Sequence, residues 1–184
     1  MKPFLLKADQ AQFLLIDMQQ KLFPAIHNGE NLLKQACFLL SSCRILNVPV
    51  KFTEHYPKGL GGTVGEILEC MPEGASRFEK IHFSCWAEPG FNAFFHKEGR
   101  HQVIVAGIEA HICVFSTAMQ LLDVGYEVVV ASDAVGSRNP EHRSICLETL
   151  RQAGAAVLPA ESIVYQMLER AGTPAFKEIL AAIR

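Results

Sequence analysis

The chain has 184 residues, 49% of them hydrophobic and 20% charged, with a formal net charge of −2. That composition supplies one sizeable core and excludes a disordered chain, because the apolar surface available offsets the entropy of ordering. Lys and Arg are scattered without a basic block, which excludes the electrostatic footprint of a nucleic-acid or membrane partner, and no apolar run approaches the roughly 20 residues of a bilayer span.

In chain order, the N-terminal stretch is too short in apolar residues for a signal peptide, so a cytoplasmic location is expected. Ala11–Ile16 is almost continuously apolar, as a parallel strand buried on both faces should be. Leu32, Leu33, Ala36, Leu39 and Leu40 recur at helical spacing and predict a helix over 30–46. A second strand is expected from Val48 to Thr53, a Gly- and Pro-rich loop over 56–62, and a short strand from Ser76 to Lys80. A helix near 90–97 leads to the clearest strand, Gln102–Ala106, which Gly107 should end. A helix from about His111 to Val124 follows, with Gly125 as its C-cap. Glu127–Ala131 reads as the fifth strand and 133–137 as a loop. Asn139-Pro140 starts a helix that ends at Gly154, 155–158 is the sixth strand, and two helices close the chain near 162–170 and 174–183. No repeat or linker interrupts this alternation. It predicts one domain over 1–184 of α/β class: a three-layer α/β/α arrangement on a six-stranded, mostly parallel, doubly wound, Rossmann-like sheet.

Such sheets carry their sites at the carboxyl ends of the strands. Asp17 ends the first predicted strand, Lys80 ends the third, and Cys113 lies on the turn after the fourth. A thiol gains nucleophilicity as thiolate, a helix N-terminus and a neighbouring lysine favour the thiolate, and a carboxylate can take its proton. Each residue also has a plainer role open to it: Asp17 as a helix N-cap, Lys80 as a surface lysine, Cys113 as a buried helix cysteine. The other five cysteines, Cys37, Cys43, Cys70, Cys85 and Cys146, form no CxxC pair or zinc-spaced cluster and are expected to be small buried hydrophobes.

The run Val105-Ala106-Gly107-Ile108-Glu109-Ala110-His111-Ile112-Cys113-Val114 resembles the nucleophile segment of the isochorismatase-like cysteine hydrolases. Leu14-Leu15-Ile16-Asp17-Met18-Gln19 is similar to that superfamily's aspartate motif, and Phe78-Glu79-Lys80 to its lysine segment. Gly125-Tyr126-Glu127-Val128 and Ser132-Asp133-Ala134 also match, and 53–61 resembles the branch of isochorismatase-domain-containing hydrolases. The resemblance implies an Asp17–Lys80–Cys113 triad and a cis peptide before Glu109. It further implies an oxyanion hole made by the backbone N–H groups of Glu109 and Cys113. The activity it implies is hydrolysis of a small-molecule amide or related carbonyl compound through a thioester, by a homo-oligomer that needs no cofactor.

Related nicotinamidases carry a metal on an Asp-x-His pattern after the second strand. Here the stretch reads Thr53-Glu54-His55-Tyr56-Pro57, with His55 one residue out of place, so no metal is expected. Phe23, Tyr56 and Trp86 are candidates for stacking a planar substrate, with ordinary packing as the plainer alternative. His111 lies two residues before Cys113, where helical geometry should turn it away. Two rival readings stay open: a scaffold that uses the fold for binding alone, and a redox sensor based on Cys113.

Overall fold

The computed structural model describes residues 5–183. Its framework is one sheet of six parallel strands, β1 (Ala11–Ile16), β2 (Val50–His55), β3 (Ser76–Lys80), β4 (Gln102–Ile108), β5 (Glu127–Gly136) and β6 (Ala156–Leu158), in the order β3-β2-β1-β4-β5-β6. Helices α1 (Gly29–Ile45), α2 (Pro57–Leu60), α3 (Gly65–Cys70), α4 (Phe91–Phe95), α5 (Phe115–Asp123), α6 (Pro140–Ala153), α7 (Ala160–Leu168) and α8 (Pro174–Ile183) complete the chain.

Period-two alternation along the central strands divides the core between the two faces. Phe13 and Leu15 of β1 and Ile104 and Ala106 of β4 meet Ala36 and Leu39 of α1, Ile67 of α3 and Ile163 of α7 on one side. Leu14, Ile16, Val103 and Val105 meet Phe91 and Phe95 of α4, Leu121 of α5 and Leu150 of α6 on the other. This is the expected three-layer, doubly wound architecture. The strand order runs outward in opposite directions from β1 and β4, so the carboxyl ends of those two strands flank the switch point at which such sheets bind ligands.

Several boundaries differ from expectation, each for a local reason. β2 starts after Pro49 rather than before it and continues to His55, paired with Lys80, until Tyr56 turns the chain at φ +40°. The expected loop over 56–62 contains α2, with proline at its first position, where a missing N–H costs no hydrogen bond. β4 does not end at Gly107 but passes through it to Ile108. Gly107 holds φ +117°, and a side chain there would collide with the Ile16 backbone, so glycine lets β4 approach β1 beside the site. β5 runs on to Gly136, because Arg143 of α6 binds the Ser132 and Val135 carbonyls and Asp133 accepts the Ala160 N–H at 2.7 Å. The helix after β4 opens with a π turn, Ala110–Val114, before α5 begins. Asn139 caps α6, accepting from the Glu141 N–H at 2.9 Å, and Gly154 ends it at φ +110°.

Cys43, Cys85 and Cys146 are buried thiols as expected. Cys37 and Cys70 are not. Both are only half-buried, and they are joined in a disulfide that ties α1 to α3, with their Cα atoms 5.4 Å apart.

Candidate active site

The chain leaves β1 by a turn at Asp17, which adopts φ +52° and donates its N–H to the Thr53 carbonyl at 3.2 Å. Parallel pairing of His55 with Lys80 and of Thr53 with Phe78 sets which side chains share a face. Thr53, His55 and Lys80 therefore project from the same side of the sheet as the buried cluster that holds Cys85 and Cys113. One Asp17 carboxylate oxygen accepts the Thr53 hydroxyl at 2.7 Å, and the other accepts the Lys80 ammonium at 2.6 Å. Neither the Asp17 nor the Lys80 side chain has solvent exposure. Lys80 also donates to the His82 and Phe83 carbonyls, each at 3.2 Å, so its three N–H groups are all engaged within the protein. These arrangements exclude the plainer roles: Asp17 caps no helix and Lys80 is not on the surface.

Cys113 sits in the π turn with its thiol buried, within reach of the charges of Asp17 and Lys80. Its pKa lies above the ordinary thiol range, first because burial disfavours the thiolate and then because Asp17 is negative, while Lys80 pulls the other way. This departs from the expectation of a thiol held low by a helix end and a lysine, because burial and the Asp17 charge outweigh Lys80. Burial works against the Lys80 ammonium, but Asp17 beside it, followed by Cys85 and Cys113, lifts its pKa above the usual lysine value. The Ile108–Glu109 peptide is cis, as the resemblance implied. The Glu109 carboxylate takes the Arg138 N–H at 2.9 Å and pairs with its guanidinium at 3.2 Å, fixing the segment next to Cys113.

Four further residues shape the site. Thr53 orients Asp17. Cys85 is more than a packing residue: its Sγ lies 3.9 Å from the Thr53 hydroxyl, its N–H is held by Thr117 at 2.9 Å, and burial followed by the charge of Asp17 pushes its thiol up to about 12. Gln19 is fully buried and grips β2 by accepting the His55 N–H at 2.7 Å and donating to the His55 carbonyl at 3.0 Å. Glu88 accepts the N–H groups of Ile81 at 2.7 Å and His82 at 2.9 Å, anchoring the loop whose carbonyls hold Lys80. The His82 N–H first, together with the His82 ring and the Ile81 N–H, draws the Glu88 carboxyl down to about 2. The sequence reading pointed to none of these four, because their roles depend on which strands and loops lie side by side.

The remaining candidates disperse. The Phe23 ring packs over Gly29 on the opposite face of the sheet. Trp86 makes edge-on contacts with Phe91, Phe95 and Tyr126, so packing occupies its ring. Tyr56 is exposed and folds over Gly59, with its N–H donated to the Lys80 carbonyl at 2.9 Å. Glu54 turns to the far face, where it binds the Thr63 N–H and hydroxyl, each at 2.8 Å, and Arg77 at 3.2 Å. Glu54 and His55 therefore do not share a site. His111 is turned to the Ser137 hydroxyl at 2.9 Å and lies beside His142.

Residues 11–162 match the family model described as the isochorismatase domain. The chain is 42% identical over 166 residues to isochorismatase domain-containing protein 2 of Danio rerio, covering 90% of this chain and 83% of that protein. It is 39% identical over 165 residues to the secreted isochorismatase effector Isc1 of Phytophthora sojae, covering 88% of this chain and 75% of the relative. Among solved structures it is similar to the MAR1 ribonuclease of Caenorhabditis elegans, with a TM-score of 0.91 and 32% identity, covering 98% of this chain and 92% of that one.

Proposed function

The chain belongs to the isochorismatase domain family, and from that premise we propose that it is a cysteine hydrolase of a small-molecule amide or related carbonyl compound, with Asp17, Lys80 and Cys113 as its triad. The observation that carries this reading is the fully buried Asp17–Lys80 pair set against the Cys113 thiol.

A thiol whose pKa is held high is no free thiolate, so its proton must leave as the carbon–sulfur bond forms. Asp17 is the acceptor. Cys113 Sγ attacks the carbonyl carbon and Asp17 takes the proton. The developing oxyanion is received by the backbone N–H groups of Glu109 and Cys113. Asp17 then returns the proton to the leaving amine, and water hydrolyses the thioester with Asp17 again as base. Lys80 stays hydrogen-bonded to Asp17 through the cycle and holds the carboxylate in place. Binding or scaffold duty alone gives no reason to bury a carboxylate, an ammonium and a thiol together. A redox sensor needs an exposed thiol of low pKa, and Cys113 is neither.

The ribonuclease name of one relative raises phosphodiester cleavage. A carbonyl substrate is favoured here because Lys80 has no N–H left for a phosphate and the net charge of −2 offers little attraction to a polyanion. The same reading takes the protein to act as a homo-oligomer in the cytoplasm. Tyr56 and Ile81, 52% and 70% exposed beside the site, form the surface that another copy covers.

The test is turnover. Purified protein is incubated with a panel of small primary amides and N-carbamoyl compounds, and separately with single-stranded RNA, while ammonia release and RNA length are followed. Ammonia release that Cys113→Ala abolishes supports the reading. RNA cleavage that survives Cys113→Ala overturns it.

A further inference from the structure

Among the described residues, the buried side-chain nitrogen and oxygen atoms that meet at the catalytic face are partnered, with one exception. Asp17 is engaged through both oxygens, Lys80 through its three N–H groups, Thr53 by Asp17, and the Cys85 N–H by Thr117. The exception is His55, whose Nδ1 is buried without a hydrogen-bond partner. Among the described residues the only other buried side-chain polar atom in that condition is the Ser42 hydroxyl of α1, on a helix that packs against the opposite face of the sheet. Leaving such an atom unpaired in a folded protein costs about 1–3 kcal/mol, so an orphan beside a reaction centre calls for an explanation.

The position of His55 is strictly set. It ends β2 in register with Lys80, so its ring lies on the face of the triad. Gln19 clamps its backbone from both sides, and its ring packs against Phe83, with centroids 5.5 Å apart and planes tilted by 33°. Burial first and then the Lys80 charge hold its pKa below the ordinary histidine value, against the opposing pull of Asp17 and Glu88, so the ring is uncharged at neutral pH. A histidine tautomer is fixed by the partner of one ring nitrogen. Among the described residues none is bonded to this ring, so it is free to present either an N–H or a lone pair.

We infer that His55 is a substrate-recognition residue, forming a hydrogen bond to a polar group of a small, uncharged carbonyl substrate whose flat or apolar portion lies against Phe83. The inference rests on the cysteine hydrolase reading and adds a determinant of specificity to it. A substrate lacking the polar group leaves the orphan unpaired, and sites built around a buried hydrogen bond discriminate on that ground.

The test compares two thiol reagents at Cys113 and needs no turnover. Iodoacetamide carries a carboxamide: its carbon bonds to Sγ, iodide leaves, and the thiol proton passes to Asp17. Methyl methanethiosulfonate forms a mixed disulfide with release of methanesulfinate and bears no carboxamide. Rates at the Cys113 peptide are measured by mass spectrometry in wild type, His55→Leu and His55→Gln. The expected result is a fall of about tenfold in the ratio of iodoacetamide to methanethiosulfonate rates for His55→Leu, with most of it recovered in His55→Gln. A ratio unchanged in both variants overturns the inference, whether the individual rates hold or move together. Amide turnover by the wild type is scored separately. A His55-dependent ratio without turnover sinks only the hydrolase reading, and turnover with a His55-independent ratio sinks only this one.

Discussion

The Lys80 ammonium lies 2.6 Å from an Asp17 oxygen, and neither side chain meets solvent. Removing one member of a buried pair leaves the other charge without compensation, a loss of about 3–5 kcal/mol. Lys80→Met should therefore lower the urea midpoint by a corresponding amount. Because the folded-state pKa of Lys80 is raised, its contribution is complete below the usual lysine value of 10.5 and fades as pH rises above it. The gap in stability between wild type and Lys80→Met should accordingly narrow in strong alkali and stay constant from pH 7 to 9.

Asp17 holds the Cys113 proton on sulfur and is also proposed to remove it. Asp17→Asn should thus do two opposite things. The thiol pKa, read from alkylation rate against pH, should fall because the negative charge is gone. Amide turnover should fall as well, by roughly 10²–10⁴, because the base is gone. A variant in which both quantities rise, or in which neither changes, would contradict the assignment.

Thr53 donates to Asp17 from within the buried sheet. Thr53→Val keeps the shape and strand propensity but leaves one carboxylate oxygen without that donor. A loss of about 1–3 kcal/mol is expected in denaturant titrations. Thr53→Ser, which keeps the hydroxyl, should retain the Asp17-dependent pH profile that Thr53→Val disturbs.

Glu88 carries a carboxyl drawn down to about 2 by the N–H groups it accepts. A depressed carboxylate contributes stability above its ordinary value of about 4.5, and that contribution is lost as pH falls from there toward 2. Protease cleavage within 81–85 should accelerate across that window in wild type, whereas Glu88→Gln should be cleaved at a nearly pH-independent rate.

The Cys37–Cys70 bridge closes a separation of 33 residues. On the chain-entropy account a loop of that size is worth about 3–4 kcal/mol. Adding a dithiol reductant should lower Tm in wild type and leave a Cys37→Ser/Cys70→Ser variant unmoved, as followed by circular dichroism.

The strands β1 and β3 and helix α8 were legible in the sequence: β1 through its largely apolar run, β3 through the motif that ends at Lys80, and α8 through Pro174 at its first position. The far half of β5 was not. Its Ser-Asp pair and terminal glycine have turn character, and only Arg143, reaching back from α6 to the Ser132 and Val135 carbonyls, keeps it extended. The proposed triad was legible through motif likeness combined with strand ends. Thr53, Cys85 and His55 were not, since their roles depend on which strands lie side by side. The direction of the Cys113 pKa also escaped the sequence, because burial outweighs the nearby cation and burial is a property of the assembled core.

The closed valences of Lys80 also bear on how a cycle would finish. Hydrolysis of a neutral amide would yield a carboxylic acid that is fully ionised at neutral pH. The ammonium at the reaction centre is already saturated by Asp17 and two carbonyls, and Asp17 itself is negative. The anionic product thus meets repulsion where the neutral substrate met none. Product departure would follow from the change in charge that the reaction itself creates.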